Sequence, residues 1–102
     1  MIYHVATSQD WKKYYDDLVY APAAFEREGF IHLCQMDQLP GVLERYYKSN
    51  TNIILLHVNE AKLISPLKHE PSTNGELFPH LYGKLNKEAI EKIDWSREDF
   101  LR

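Results

Sequence analysis

The sequence predicts one small α+β domain, on three observations. Its 102 residues fit a single domain with one modest core. Predicted helices cluster in the first half of the chain and predicted strands in the second. The order strand, helix, strand, helix, then strands lacks the regular repeat of a parallel α/β sheet.

The first strand is predicted over residues 1–6, with Ile2, His4 and Ala6 on one face and Tyr3 and Val5 on the other. A strand that begins at residue two is expected to lie well inside a sheet. Thr7 then caps a helix, with Asp10 three residues on. Trp11, Tyr14, Tyr15 and Leu18 form its stripe, and it is expected to end near Asp17. Pro22 breaks any strand over residues 19–29 and starts a short helical turn over residues 23–27. Gly29 permits a sharp entry into a strand over residues 30–34, with Phe30, His32 and Cys34 on one face.

Asp37 is the expected cap of a second helix, with Pro40 in its first turn. Leu39, Val42, Leu43, Tyr46 and Tyr47 are its apolar stripe. Residues 53–58 are apolar on both faces except at His57, which predicts a central strand. A turn and a weak strand lead to His69 and Glu70. Residues 71–76 read as a loop with Asn74-Gly75 at its tip. A strand follows from Phe78 into Leu85. Asn86 is expected to cap a helical turn over residues 87–89, and residues 90–95 form the last strand. The tail from Ser96 is expected at the surface.

Composition narrows the function classes. Net charge is −3 with no basic stripe, which argues against binding an extended nucleic-acid backbone. The single Cys rules out an internal disulfide and fits a reducing, cytoplasmic setting. No signal peptide is visible at the start, and no apolar run approaches membrane-spanning length. Seven Tyr, four Phe and two Trp predict an aromatic core or an aromatic-lined cleft.

The five histidines carry most of the chemical interest. In Phe78-Pro79-His80-Leu81-Tyr82-Gly83, burial of Leu81 turns His80 and Tyr82 together to the opposite face. His4 and His32 also sit in short, unusual segments. His57, among Ile and Leu, reads as a core histidine, and His69 as a solvated one. Glu70 stands out among the acids, at the edge of the longest loop before Pro71. It also reads as a surface acid paired with Lys68. His32 and Cys34 share a strand face, but no zinc spacing is present. Cys34 has no helix start after it to lower its pKa, so it reads as a small buried hydrophobe.

Ile2-Tyr3-His4, Glu28-Gly29-Phe30-Ile31-His32 and Phe78-Pro79-His80-Leu81-Tyr82-Gly83, in this order, resemble the signature blocks of domain-of-unknown-function family 952. The resemblance runs over nearly the whole chain and includes Gln38. Leu33-Cys34 stands where the family usually has Cys-Ser. The resemblance implies a fold similar to the ADP-ribosyltransferases, with two short sheets around an NAD cleft. By that likeness His4 matches a first-strand histidine that binds ribose, and Tyr82 an aromatic that stacks on nicotinamide. Glu70 or Glu76 takes the place of the acid, and the superfamily's usual Arg or Ser-Thr-Ser signature is absent.

The sequence reading is therefore a cleft lined by His4, His32, His80 and Tyr82 for a small nucleotide-like or anionic ligand. If it is an enzyme, Glu70 and His80 are the catalytic candidates, NAD is the implied cofactor, and no metal is required. The other reading is a ligand-binding or protein-interaction domain without catalysis. Monomer and dimer are equally compatible with the sequence.

Overall fold

The computed structural model describes residues 1–100. In order, the chain forms β1 (Ile2–Thr7), α1 (Ser8–Lys13), β2 (Val19–Tyr20), α2 (Phe25–Glu28), β3 (Ile31–His32) and α3 (Leu39–Tyr46). It continues with β4 (Ile53–Val58), β5 (Leu67–Pro71), β6 (Leu77–Leu81), β7 (Leu85–Asn86) and β8 (Ile90–Asp94). Single 3-10 turns lie at Met36–Gln38, Glu60–Lys62, Lys87–Ala89 and Arg97–Asp99. The architecture is α+β, with the α-helices in the first half. No helix of the described residues is long and apolar enough to cross a membrane.

Among the described residues the strands form three antiparallel sheets, β1-β4-β8, β2-β7 and β3-β6-β5, where two were expected. The extra sheet comes from Val19–Tyr20, which pairs with Leu85–Asn86 just before Pro22 ends it. β4 is central, as its two apolar faces require. One face, with Ile54, Leu56 and Val58, joins Ile2, Ala6, Ile31, Leu81 and Leu85 in the larger core. The other, with Ile53 and Leu55, joins Val5, Cys34, Leu39, Leu43 and Phe100 in a smaller one.

β1 lies at the edge of its sheet, not inside it. Its free side is closed by Tyr3, whose N–H donates to the Cys34 carbonyl and whose carbonyl accepts from the Cys34 N–H, both at 2.8 Å. That bridge ties the first sheet to the segment leaving β3. It also explains why β3 is short: the chain pairs His32 with His80, then turns away to Tyr3.

Thr7 caps α1, its Oγ1 accepting the Asp10 N–H at 3.1 Å. The helix stops at Lys13, short of Asp17. The Tyr14 carbonyl, which a longer helix would bond to the Leu18 N–H, instead accepts the Asp17 N–H at 3.0 Å and the Lys87 ammonium. The Leu18 N–H turns to the Asp17 carboxylate at 2.7 Å. Tyr15 and Leu18 are consequently exposed, so the apolar stripe ends at Tyr14. Gly29 closes α2 at φ 80°, the left-handed conformation that favours glycine.

The entry to α3 uses Gln35 and Gln38, not Asp37. The Gln35 N–H donates to Gln38 Oε1 at 2.9 Å, completing a reciprocal capping box. Leu39 and Leu43 are buried, whereas Tyr46 faces solvent. Asn86 does not cap the turn after it. Its amide spans Lys62 and Ile64, donating to the Lys62 carbonyl at 2.9 Å and accepting the Ile64 N–H at 3.2 Å. The tail also departs from expectation, because Phe100 is 2% exposed and fills the smaller core. One aromatic at the end of a polar stretch carries little periodic signal.

Phe100→Ala should lower the unfolding free energy by about 3 kcal/mol, the cost of truncating a buried aromatic. Tyr46→Ala, at a position 72% exposed, should change it by less than about 0.5 kcal/mol. Urea denaturation of both variants measures the contrast. Equal effects would contradict the buried tail.

Candidate functional site

The β3-β6-β5 sheet has one face in the core and one open. The register sets Ile31, Leu81 and Leu67 side by side, and His32, His80 and Lys68 side by side in the next row. Ile31 and Leu81 are fully buried. The alternation of strand side chains therefore turns His32, His80 and Lys68 to the other face, with Phe30, Glu70 and Tyr82. Pro79 is tolerated in the central strand because its carbonyl, and so its missing N–H, faces the side where β3 has already ended. Leu33 donates to that carbonyl at 2.9 Å. Gly83 follows Tyr82, and a Cβ there would collide with the Ser65 side chain.

One carboxylate oxygen organises this face. Glu70 Oε1 accepts from the Tyr82 hydroxyl at 2.6 Å and from His80 Nδ1 at 2.8 Å. These two bonds, Tyr82 first, hold the Glu70 carboxyl below its usual range. The same bond raises the Tyr82 phenol. An ionised carboxylate only accepts, so His80 carries its proton on Nδ1. Its Nε2 has no hydrogen-bond partner among the described residues, and no partnerless side-chain nitrogen or oxygen is buried there. Nε2 therefore reaches the surface. Lys68 does not pair with Glu70; its ammonium lies 4.9 Å from the Tyr82 ring centroid.

Phe30 holds the imidazole from one side, stacked on His80 at 4.2 Å with the planes 20° apart. It also leans on Tyr82 at 5.3 Å. The His32 ring meets His80 edge-on at 4.9 Å. His32 Nε2 reaches Glu28 Oε1 at 3.1 Å. Two carboxylates, two imidazoles, a phenol and a phenyl ring thus share one surface. Among the described residues no group of three or more His, Cys, Asp or Glu is placed to hold a metal.

The structure brings Glu70, His80, Tyr82 and His32 together but leaves His4 beneath them. His4 is 5% exposed. Its Nδ1 donates to the His32 carbonyl at 2.7 Å, and its Nε2 accepts from the Tyr20 hydroxyl at 2.9 Å. Of the two neutral tautomers, only the Nδ1–H form satisfies both partners. Burial pushes its pKa down to about 4. The cause lies in the β1 face, where Ile2 and Ala6 on either side are core residues. His4 thus braces the backbone under His32.

The other candidates lie elsewhere. Glu76 accepts from the Gln38 amide at 3.1 Å at the foot of the β5–β6 hairpin. His57 is not wholly in the core; its Nε2 pairs with Asp94 at 2.7 Å. Cys34 is buried, and burial pushes its thiol up to about 12, which leaves it a hydrophobe. His69 is exposed on β5. Phe30 and Glu28 were not singled out as site residues. The signal for each was present: Phe30 shares the His32 face by alternation, and Glu28 precedes His32 by four residues.

Residues 5–93 match the family described as protein of unknown function, DUF952. The chain belongs to that family. The matched span contains Glu28, His32, Glu70, His80 and Tyr82, while His4 falls just before it. The DUF952 chain is also similar to solved structures of CC0527 from Caulobacter crescentus. One crystal structure has a TM-score of 0.81 and 28% identity, covering 90% of this chain and 82% of that one. The solution structure of the same protein has a TM-score of 0.78 and 27% identity, covering 92% and 82%. No curated protein matches the chain.

Two pH measurements check the DUF952 site. His4 is neutral when folded and titrates near 4, against an ordinary value of 6.5 when unfolded. The unfolded chain binds the extra proton in that window. His4's contribution is therefore complete above pH 6.5 and is lost as the pH falls towards 4. The loss should be on the order of 3 kcal/mol in wild type and absent in His4→Phe, by comparison of their urea midpoints across that range. In Glu70→Gln the Tyr82 phenol should titrate at lower pH than in wild type, followed by ultraviolet difference absorbance. An unchanged phenol titration would contradict the Glu70–Tyr82 bond.

Proposed function

We propose that this DUF952 protein binds a small nucleotide-like or anionic molecule on the open face of β3-β6-β5 and acts on it through Glu70 and His80. The reaction class we assign is NAD-related ribose chemistry. The observation that carries this reading is the single Glu70 oxygen shared by His80 and Tyr82. It orients an imidazole with Nε2 outward, as a general base requires. Glu70 Oε2 makes no hydrogen bond to the described residues, so a negative oxygen remains available beside it.

In such a reaction the bond from ribose C1′ to the nicotinamide nitrogen breaks, and its electron pair leaves with the nicotinamide. The ribose becomes oxocarbenium-like, and the Glu70 carboxylate opposes its positive charge. His80 Nε2 takes the proton of the incoming water or hydroxyl as its oxygen bonds to C1′. The exposed edges of Phe30 and Tyr82 offer apolar surface to a ring, and His32, with its side chain 57% exposed, offers a donor to phosphate or ribose. His4 has no free ring nitrogen and supports this face from below. The reading takes the fold as ADP-ribosyltransferase-like, on the resemblance of the three histidine blocks. It takes the protein as cytoplasmic, on its lone unpaired Cys34.

A second reading is a binding domain without catalysis. It is favoured by the way Glu28 occupies His32 and Glu70 satisfies His80 and Tyr82 within the fold itself.

Incubation of the full chain with NAD, with release of nicotinamide as the readout, separates the two. Catalysis predicts release that falls about a hundredfold or more in Glu70→Gln and in His80→Ala. Without release, a rise in melting temperature with NAD that His80→Ala removes would select the binding domain. Neither release nor a melting shift would overturn the assignment of an NAD-type ligand.

A further inference from the structure

Beside the Glu70–His80 pair stands a second carboxylate–imidazole pair, Glu28 and His32. Helix α2 is one turn long, and Gly29 at φ 80° ends it by reversing the chain. The reversal sets Glu28 next to His32, with Oε1 3.1 Å from Nε2. The His32 backbone is pinned on two sides. It pairs with His80 across β3–β6, and its carbonyl accepts the His4 Nδ1–H at 2.7 Å. The ring lies 4.8 Å from Phe30 and 4.9 Å from His80, inclined to them at 64° and 78°. It therefore stands at the edge of the Phe30–His80 stack, on the open face.

Glu28 fixes what His32 presents. A carboxylate only accepts, so the proton of the neutral ring sits on Nε2, the tautomer that a free imidazole favours as well. Nδ1 has no hydrogen-bond partner among the described residues and shows a lone pair. His80, held through Nδ1, shows its lone pair at Nε2 instead. The two neighbouring rings are thus in opposite tautomers, and both offer an acceptor. Glu70 Oε2 is a third. A phosphate oxygen only accepts, and it finds a free donor at His32 only when both ring nitrogens carry protons. The neutral ring suits a hydroxyl, which can donate. A cationic donor is disfavoured, because Lys68 stands opposite His80 and its charge already supports the Glu70 carboxylate.

We infer, resting on the NAD-type ligand proposed for this face, that His32 reads the 2′-hydroxyl of the reacting ribose, with Glu28 as the residue that positions it. The attacking water belongs to His80 Nε2 and C1′. The ribose carbon next to C1′ is C2′, and the imidazole next to His80 is His32. The hydroxyl on C2′ donates to His32 Nδ1 at an ordinary distance of about 2.8 Å. A 2′-deoxyribose leaves that nitrogen without its donor, so the face selects ribose over deoxyribose.

Calorimetric titration of the full chain above neutral pH, with NAD and with NAD lacking the 2′-hydroxyl of its nicotinamide ribose, tests this. Wild type should bind NAD about tenfold more tightly than the deoxy form, the worth of roughly one hydrogen bond. His32→Phe keeps a ring against Phe30 and His80 at a side chain that is 57% exposed, so the variant should fold. It should reduce the preference to less than about twofold. Glu28→Ala frees the ring and should also lower the preference. Nitrogen-15 NMR of the unliganded chain should show Nε2–H at His32 beside Nδ1–H at His80. Equal affinity for the two ligands, a preference that survives His32→Phe or Glu28→Ala, or an Nδ1–H tautomer at His32 would overturn this role and leave the NAD-type ligand standing. Binding of neither ligand would overturn both.

Discussion

The register of β6 is the constraint on which the site depends. Leu81 is fully buried between Ile31 and Leu67 on the neighbouring strands. Burial of one such side chain stabilises by roughly 1.5–3 kcal/mol. Because strand side chains alternate, fixing Leu81 inward sends His80 and Tyr82 outward. A slip by one residue would expose Leu81 and drive an imidazole into the core without its carboxylate. Both penalties act in the same direction, so a hydrophobic residue with no chemistry of its own decides where the chemistry sits. The Tyr3–Cys34 bridge extends the constraint by anchoring β3 to the first sheet just past His32.

Histidines on adjoining sheets meet opposite environments. His4 faces the core and is kept neutral by burial, with both nitrogens spent on Tyr20 and the His32 carbonyl. His80 is also largely covered, but by rings and a carboxylate, and one of its nitrogens stays at the surface. The first arrangement is a brace and the second is a presentation. Glu70 keeps about a third of its side chain in water. Its bonds to His80 and Tyr82 are correspondingly screened and set geometry more than stability.

Local pattern carried the parts of the fold that depend on neighbours in sequence. The doubly apolar run at Ile53 to Val58, the Thr7 cap and the outward pairing of His80 with Tyr82 follow from period and residue type alone. Glu70 was legible through its place before Pro71, although its contact with His80 is a tertiary fact. The parts that were not legible depend on distant partners. α1 gives way to a turn in which the Tyr14 carbonyl accepts the Asp17 N–H and the ammonium of Lys87, far along the chain. His4 leaves the site because the face it shares with Ile2 and Ala6 meets the larger core. Phe100 is buried by the α3 stripe of Leu39 and Leu43, which no pattern in the tail announces.

The central claim is that the Glu70 carboxylate fixes the imidazole of His80 with Nδ1 protonated and Nε2 outward. Nitrogen-15 NMR of the histidine ring, recorded above neutral pH, reads that tautomer directly. The account predicts an Nδ1–H imidazole at His80 in the wild-type chain and a shift towards the Nε2–H form, the tautomer that a free imidazole favours, in Glu70→Ala. An Nε2–H tautomer at His80 in wild type, unchanged by Glu70→Ala, would contradict it.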